Sequence, residues 1–114
     1  MAFTEHELQQ IDELLRPLCE RVPVHLRDKL RNEYVISAQQ TVTLEEVRPN
    51  FRDTDHEVRH GIARFRYVRA QDEWQLFWQR ANRKWERYDP FPASPDLAVL
   101  VAVVAQDPHS CFFG

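Results

Sequence analysis

Glycine is almost missing from this 114-residue chain, which has only Gly61 and Gly114. A phosphate-cradling loop needs several closely spaced glycines, so nucleotide enzymes of the P-loop or Rossmann type are excluded. Cysteine is equally sparse: Cys19 and Cys111 supply neither a disulfide framework nor a metal-ligand spacing. Long apolar runs are missing too. The longest, Leu97–Ala105, is less than half of the ~20 residues that a membrane-spanning helix needs. The opening Met-Ala-Phe-Thr-Glu-His has neither a basic nor an apolar leader region, so secretion is not expected. The end, Cys-Phe-Phe-Gly, has the outline of a prenylation tail, but its aromatic middle and final glycine fit one badly. A general excess of positive charge is also lacking, since the net charge is −3, and that argues against a uniformly basic nucleic-acid binder. What remains is a soluble cytoplasmic protein of one domain, residues 1–114, with no membrane partner.

What the chain does have is a stretch of alternating aromatic and basic residues from Gly61 to Tyr88. Period-two alternation rich in aromatics is the signature of half-buried strands, and three antiparallel strands fit residues 61–88. A turn through Ala70-Gln71-Asp72-Glu73 pairs Arg69 with Trp74, Tyr67 with Leu76 and Phe65 with Trp78. A second turn through Arg80-Ala81-Asn82-Arg83 sets Trp85 opposite Trp78. Phe65, Tyr67, Trp74, Leu76 and Trp78 then share the buried face. The other face carries Arg64, Arg66, Phe77, Lys84, Glu86 and Tyr88. Cations interleaved with rings form a platform suited to single-stranded nucleic acid, although arginine stems also cover ordinary solvated sheets. Charge is segregated along the chain. Residues 59–88 carry a net +5, residues 1–20 a net −4 and residues 89–114 a net −3.

The flanks read as helices and a hairpin. Thr4 with Glu7 makes a capping box, with Phe3 and Leu8 placed as a hydrophobic staple, and the spacing predicts a helix over 4–20. Its apolar stripe is Leu8, Ile11, Leu15, Leu18 and Val22. Pro17 should kink the helix or end it early. A strand hairpin over 30–48 follows, with Ala38-Gln39-Gln40 as its turn, Ile36 facing Val42, Tyr34 facing Leu44 and Pro49 as its stop. Residues 50–60 lack periodicity and read as a polar loop. After the three strands, Pro90-Phe91-Pro92 is a stiff linker. Ser94-Pro95-Asp96 then caps a helix over 95–106, and 107–114 is a tail whose two phenylalanines should fold back onto the core. Because Leu97–Ala105 is apolar on nearly all sides, a homodimer through this helix is one expectation. Coverage by the first helix and the tail is the other.

The loop contains His56-Glu57-Val58-Arg59-His60, a literal match to the H-E-x-x-H zinc pattern. That pattern works on a helix, where both histidines share one face and the Glu meets metal-bound water. Gly61 and a strand follow at once and leave no room for such a helix, so a metal role for His56, Glu57 and His60 is rejected and no cofactor is expected. His109 beside Cys111 lacks the spacing and the third group of a thiol–imidazole pair.

Several short motifs occur in order: Pro23-x-His25-x-Arg27-Asp28-Lys29-Leu30-Arg31, Glu46-Val47-Arg48-Pro49, Ala63-Arg64-Phe65-Arg66-Tyr67-Val68, Trp74-x-Leu76-Phe77-Trp78, Lys84-Trp85 and Cys111-Phe112-Phe113-Gly114. Together they resemble the bacterial family catalogued as domain of unknown function 3024, over residue 23 to the end. The resemblance implies a bacterial cytoplasmic protein and brings no activity with it. His25, Asp28 and Arg48 are polar groups of the kind enzymes use, yet no spacing among them defines a reaction. The fold expected is α+β: an N-terminal helix, an antiparallel sheet of about five strands and a C-terminal helix packed on the sheet. The function expected is a non-catalytic binding or adaptor domain acting through a protein partner, with single-stranded nucleic acid as the alternative ligand. The binding residues are Arg64, Arg66, Phe77, Lys84, Tyr88, Arg48 and His25.

Overall fold

The Thr4/Glu7 capping box forms as the sequence predicts. Thr4 Oγ1 accepts the Glu7 N–H at 3.1 Å, and Glu7 Oε1 accepts the Thr4 N–H at 2.8 Å. These bonds satisfy two of the orphan donors at the start of α1, Glu5–Cys19. In the computed structural model of the chain, residues 3–50 and 52–113 are described, the side chains of 53–55 excepted. Gly114, the last residue of the C-terminal motif, lies outside the described residues. Helix α1 runs through Pro17 to Cys19, one residue short of the expected end, so the proline does not cut it short.

Five strands follow in a meander, β1 Arg31–Ser37, β2 Thr41–Asn50, β3 Asp53–Val68, β4 Glu73–Gln79 and β5 Trp85–Arg87. A sixth, β6 Ala93–Ser94, pairs with β4, and α2 Leu97–Gln106 closes the α+β fold. Both helices lie on one face of the sheet. Ile11, Leu15 and Leu18 of α1 share a core with Val42, Leu44, Phe65, Leu76, Leu100 and Val104. The β1–β2 register is the expected one, with Ile36 opposite Val42 and Tyr34 opposite Leu44. Tyr34 Oη donates to Asp12 Oδ1 at 2.7 Å and ties α1 to β1.

Three further expectations are corrected. Pro49 does not end β2, since it pairs with Glu57. Residues 53–60 are strand rather than loop. In place of apolar alternation this part of β3 carries cross-strand ion pairs on the outer face, Arg59 with Glu33 at 2.5 Å and Glu45 at 3.2 Å, and Arg31 with Glu57 at 3.0 Å. A strand held this way has no period-two hydrophobic signal. Finally, α2 is capped by Asp96, whose Oδ1 accepts the Ala98 N–H at 3.0 Å. Ser94 sits in β6 and accepts the Asp96 N–H, so the cap lies two residues later than expected.

The tail folds back, as its phenylalanines suggested. Asp107, the left-handed C-cap of α2, accepts the N–H groups of Cys111, Phe112 and Phe113 at 2.8, 3.1 and 2.8 Å. Phe112 is buried against Tyr88, 4.9 Å between ring centroids. Of the large apolar residues in α2, Leu97, Leu100, Val101 and Val104 are buried and Val99 stays exposed. Only a narrow stripe is therefore left for the homodimer expected through Leu97–Ala105. No helix among the described residues is long and apolar enough to cross a membrane.

Candidate functional site on the outer sheet face

The aromatic and basic strands meet as expected in face but not in register. Observed β3–β4 pairs are Tyr67 with Trp74, Phe65 with Leu76 and Arg64 with Phe77. They lie two residues from the expected alignment, so every side chain keeps its face. The cause is the turn. Arg69–Gln71 make a single 3-10 turn and Asp72 takes a left-handed conformation, φ 47°. Its carboxylate accepts the Tyr67 hydroxyl at 2.5 Å.

At the next turn the error is odd. Arg80 N–H donates to the Lys84 carbonyl, and Arg83 is left-handed at φ 67°, which makes a three-residue loop. Trp85 therefore pairs with Gln79 and Glu86 with Trp78, and every β5 side chain changes face. Trp85 and Arg87 join the outer face. Tyr88, expected there, is buried in the core, where burial raises its phenol pKa.

The outer face thus brings together Arg64, Arg66, Phe77, Trp85 and Arg87. Arg64 lies over the Trp85 ring, 4.3 Å from its centroid, and its Nε donates to Thr43 Oγ1 at 3.1 Å. Arg87 lies over Phe77 at 5.6 Å. Gly61 lets the Trp85 ring reach across β4. A Cβ at position 61 would fall 2.5 Å from Trp85 Cη2 and 2.8 Å from Gln79 Oε1, the atom that accepts the Gly61 N–H. Arg64, Arg66, Phe77 and Trp85 line a cleft of about 290 Å³ closed on one side by the β1–β2 turn, Ser37–Gln39.

The ion pairs of the molecule leave these cations out. Arg16, Arg31, Arg48, Arg59, Arg69 and Arg80 each pair with a carboxylate. Arg64, Arg66 and Arg87 have no carboxylate partner among the described residues, nor do the exposed Arg21, Arg27 and Arg83 elsewhere; Arg64 and Arg87 differ in being half-buried. Burial pushes the Arg64 guanidinium below its ordinary value, with Glu45 at longer range opposing that. A half-buried cation kept away from counter-ions is an incomplete electrostatic arrangement, and an incoming anion would complete it.

Of the remaining predicted residues, Lys84 is exposed at the edge of the β4–β5 loop, where its carbonyl holds the turn. His25 is exposed in the short 3-10 turn Val24–Leu26. Arg48 pairs with Glu46 at the far end of β2. None of the three lines the cleft. Trp85, Arg87 and Thr43 were missed. Arg83-Lys84 before Trp85 gave no sign of a left-handed residue, since glycine or asparagine is the usual marker of one. His56 and His60 lie on one face of β3 with Glu57 on the other. Four residues of strand set the two histidines ~13 Å apart, so the helical zinc geometry does not arise. Cys111 Sγ meets the His109 carbonyl rather than its ring. Burial raises the Cys111 pKa, the opposite of what a nucleophilic thiol needs.

Residues 3–114 match the protein family described as a domain of unknown function, DUF3024. No curated protein and no solved structure gives a significant match.

Proposed function

The chain belongs to the DUF3024 family, a name that carries no activity, and we propose that it is a non-catalytic binding domain that acts in the bacterial cytoplasm through a protein partner. Its ligand surface is the outer-face cleft of Arg64, Arg66, Phe77 and Trp85. The observation that carries this is Arg64, half-buried over the Trp85 ring beside Arg66, with no carboxylate partner for either among the described residues. Anionic side chains of a partner fit that cleft.

Single-stranded nucleic acid is the second reading, favoured by the mixing of arginine and aromatic rings on one face. It ranks lower because Arg64 lies over the Trp85 ring and Arg87 over Phe77, where bases would stack.

Fluorescence anisotropy with a labelled Asp/Glu peptide and a labelled oligothymidylate, each at two salt concentrations, tests the assignment. The peptide should bind, weaken with salt and be lost in Arg64→Ala/Arg66→Ala. Binding of the oligonucleotide alone would move the second reading to first place. Peptide affinity unchanged in the double variant would remove the cleft as the site.

A further inference from the structure

The β1–β2 turn has an opening on each side. On the outer face is the Arg64/Arg66 cleft. On the helix-bearing face is a groove of about 420 Å³ between the start of α1 and the end of β1, lined by Phe3, Leu8, Ile36 and Gln40. Ser37, Ala38 and Gln39 line both. Its volume falls within the range of ligand pockets.

Three features define the groove. Leu8 and Ile36 are 39% and 40% exposed, two large apolar side chains side by side on a surface where such residues mark contact sites. Gln40 Oε1 is buried without a donor among the described residues, and buried acceptors are normally satisfied. The turn itself is fixed, with Gln39 and Gln40 at φ 63° and 53° and the Tyr67 N–H on the Gln40 carbonyl at 3.0 Å. The wall between the two openings is therefore firm.

We infer that the partner presents an acidic peptide segment with one large apolar residue, straddling the β1–β2 turn with its carboxylates on Arg64 and Arg66 and its apolar side chain in the Phe3/Leu8/Ile36 groove. This rests on the cationic cleft being the ligand surface. The polarity follows from charge: Glu5 opens α1 beside the groove, where Glu7 is already paired with Arg69, so carboxylates are favoured on the arginine side. An extended chain advances ~3.3 Å per residue, and crossing the three shared residues places the apolar anchor about three to five residues from the first carboxylate. A nucleic-acid strand has no apolar anchor for the groove.

Selection from a displayed library of random dodecapeptides on the full chain tests this, followed by anisotropy of the most enriched peptide. Enriched sequences should combine carboxylates with a large apolar residue at that separation. Affinity should fall about tenfold or more in Ile36→Asp and, separately, in Arg64→Ala/Arg66→Ala, which corresponds to at least 1.4 kcal/mol. Thermal unfolding checks that each variant is folded, and Leu8→Asp serves as a second groove variant. Acidic peptides enriched without an apolar preference, or an affinity unmoved by both groove variants, would sink the straddling segment and leave the cationic cleft standing. Peptides without carboxylates, or indifferent to Arg64→Ala/Arg66→Ala, would overturn both. Displacement of the peptide by oligothymidylate, or by self-association seen in sedimentation, would reassign the occupant and refute the peptide.

Discussion

Gly61→Ala is the substitution for which the structure makes the sharpest statement. Position 61 lies in β3, where alanine is normally as good as glycine or better. Removing backbone freedom from the unfolded chain stabilises by about 0.4–1 kcal/mol when the native conformation permits it. Here the Trp85 ring occupies the place of the new methyl. The Cβ would lie 2.5 Å from Trp85 Cη2 and 2.8 Å from Gln79 Oε1, far inside van der Waals contact. Gln79 can move only by giving up the Gly61 N–H, a bond of 2.8 Å whose loss costs about 0.5–1.5 kcal/mol. Displacing the ring also ends the Arg64 contact at 4.3 Å, worth about 0.5–1 kcal/mol. With the overpacking itself, a net loss of about 2–3 kcal/mol results, or about 8–12 °C in Tm for a domain of this size. Thermal unfolding followed by circular dichroism reads it. The decisive comparison is the same substitution in a Trp85→Ala background. With the ring gone only the Gln79 contact opposes the new methyl, so, after the backbone gain, the loss should shrink to about 0–1 kcal/mol. An equal loss in both would refute the steric account and, with it, the role of Gly61 in seating Trp85.

Three further outcomes follow from the contacts. Asp107→Asn keeps the left-handed conformation, which asparagine tolerates, but weakens the three N–H bonds that hold Cys111–Phe113. A loss of about 1–3 kcal/mol in urea unfolding and faster amide exchange at those residues are expected, and unchanged exchange would contradict it. Burial and the Asp12 carboxylate push the Tyr34 phenol up to about 12, above the ~10 of an unfolded tyrosine. Its contribution to stability is thus complete below pH 10 and lost as pH rises through 12. Tyr34→Phe should flatten that decline, although Tyr67 and Tyr88, also raised, keep part of it; an unaltered slope would exclude the Asp12 bond. The bidentate Arg69 contact, 2.9 and 3.1 Å, holds the Glu7 carboxyl below its usual range. Its stabilisation is present above pH 4.5 and lost as pH falls through the lowered value. Glu7→Gln should cost about 1–2 kcal/mol at neutral pH and almost nothing in acid, measured by denaturant unfolding at both pH values.

Helix α1 and the β1–β2 hairpin were legible because their signals are local. A capping box, a stripe at helical spacing and a three-residue turn between alternating strands each specify geometry within a few residues. Residues 53–60 were not legible for an equally physical reason. Alternation is visible only when one set of side chains is apolar, and here Glu57 and Arg59 stabilise the strand through Arg31, Glu33 and Glu45, up to 26 residues away. The β6 pairing was hidden in the same way, since two residues between prolines carry no period. The α2 cap was misplaced because Ser94 and Asp96 are both good cap residues. Burial of Leu97, rather than propensity, selects the later one.

The candidate site was half legible, and the division falls at a single backbone conformation. Arg64, Arg66 and Phe77 sit on strands whose register error was even, so their face survived it. Lys84, Tyr88 and Trp85 follow the loop in which Arg83 adopts φ 67°, a conformation that costs a non-glycine residue about 1–2 kcal/mol. The cost is borne because the resulting register buries Tyr88 in the core and lays Trp85 over Gly61. With the expected register those two residues would exchange faces, and the outer surface would offer an open tyrosine beside a lysine. The observed one offers a tryptophan already covered by Arg64. That difference is the physical reason for ranking the stacking of bases, the alternative from the start, below an anionic protein partner in the proposed function.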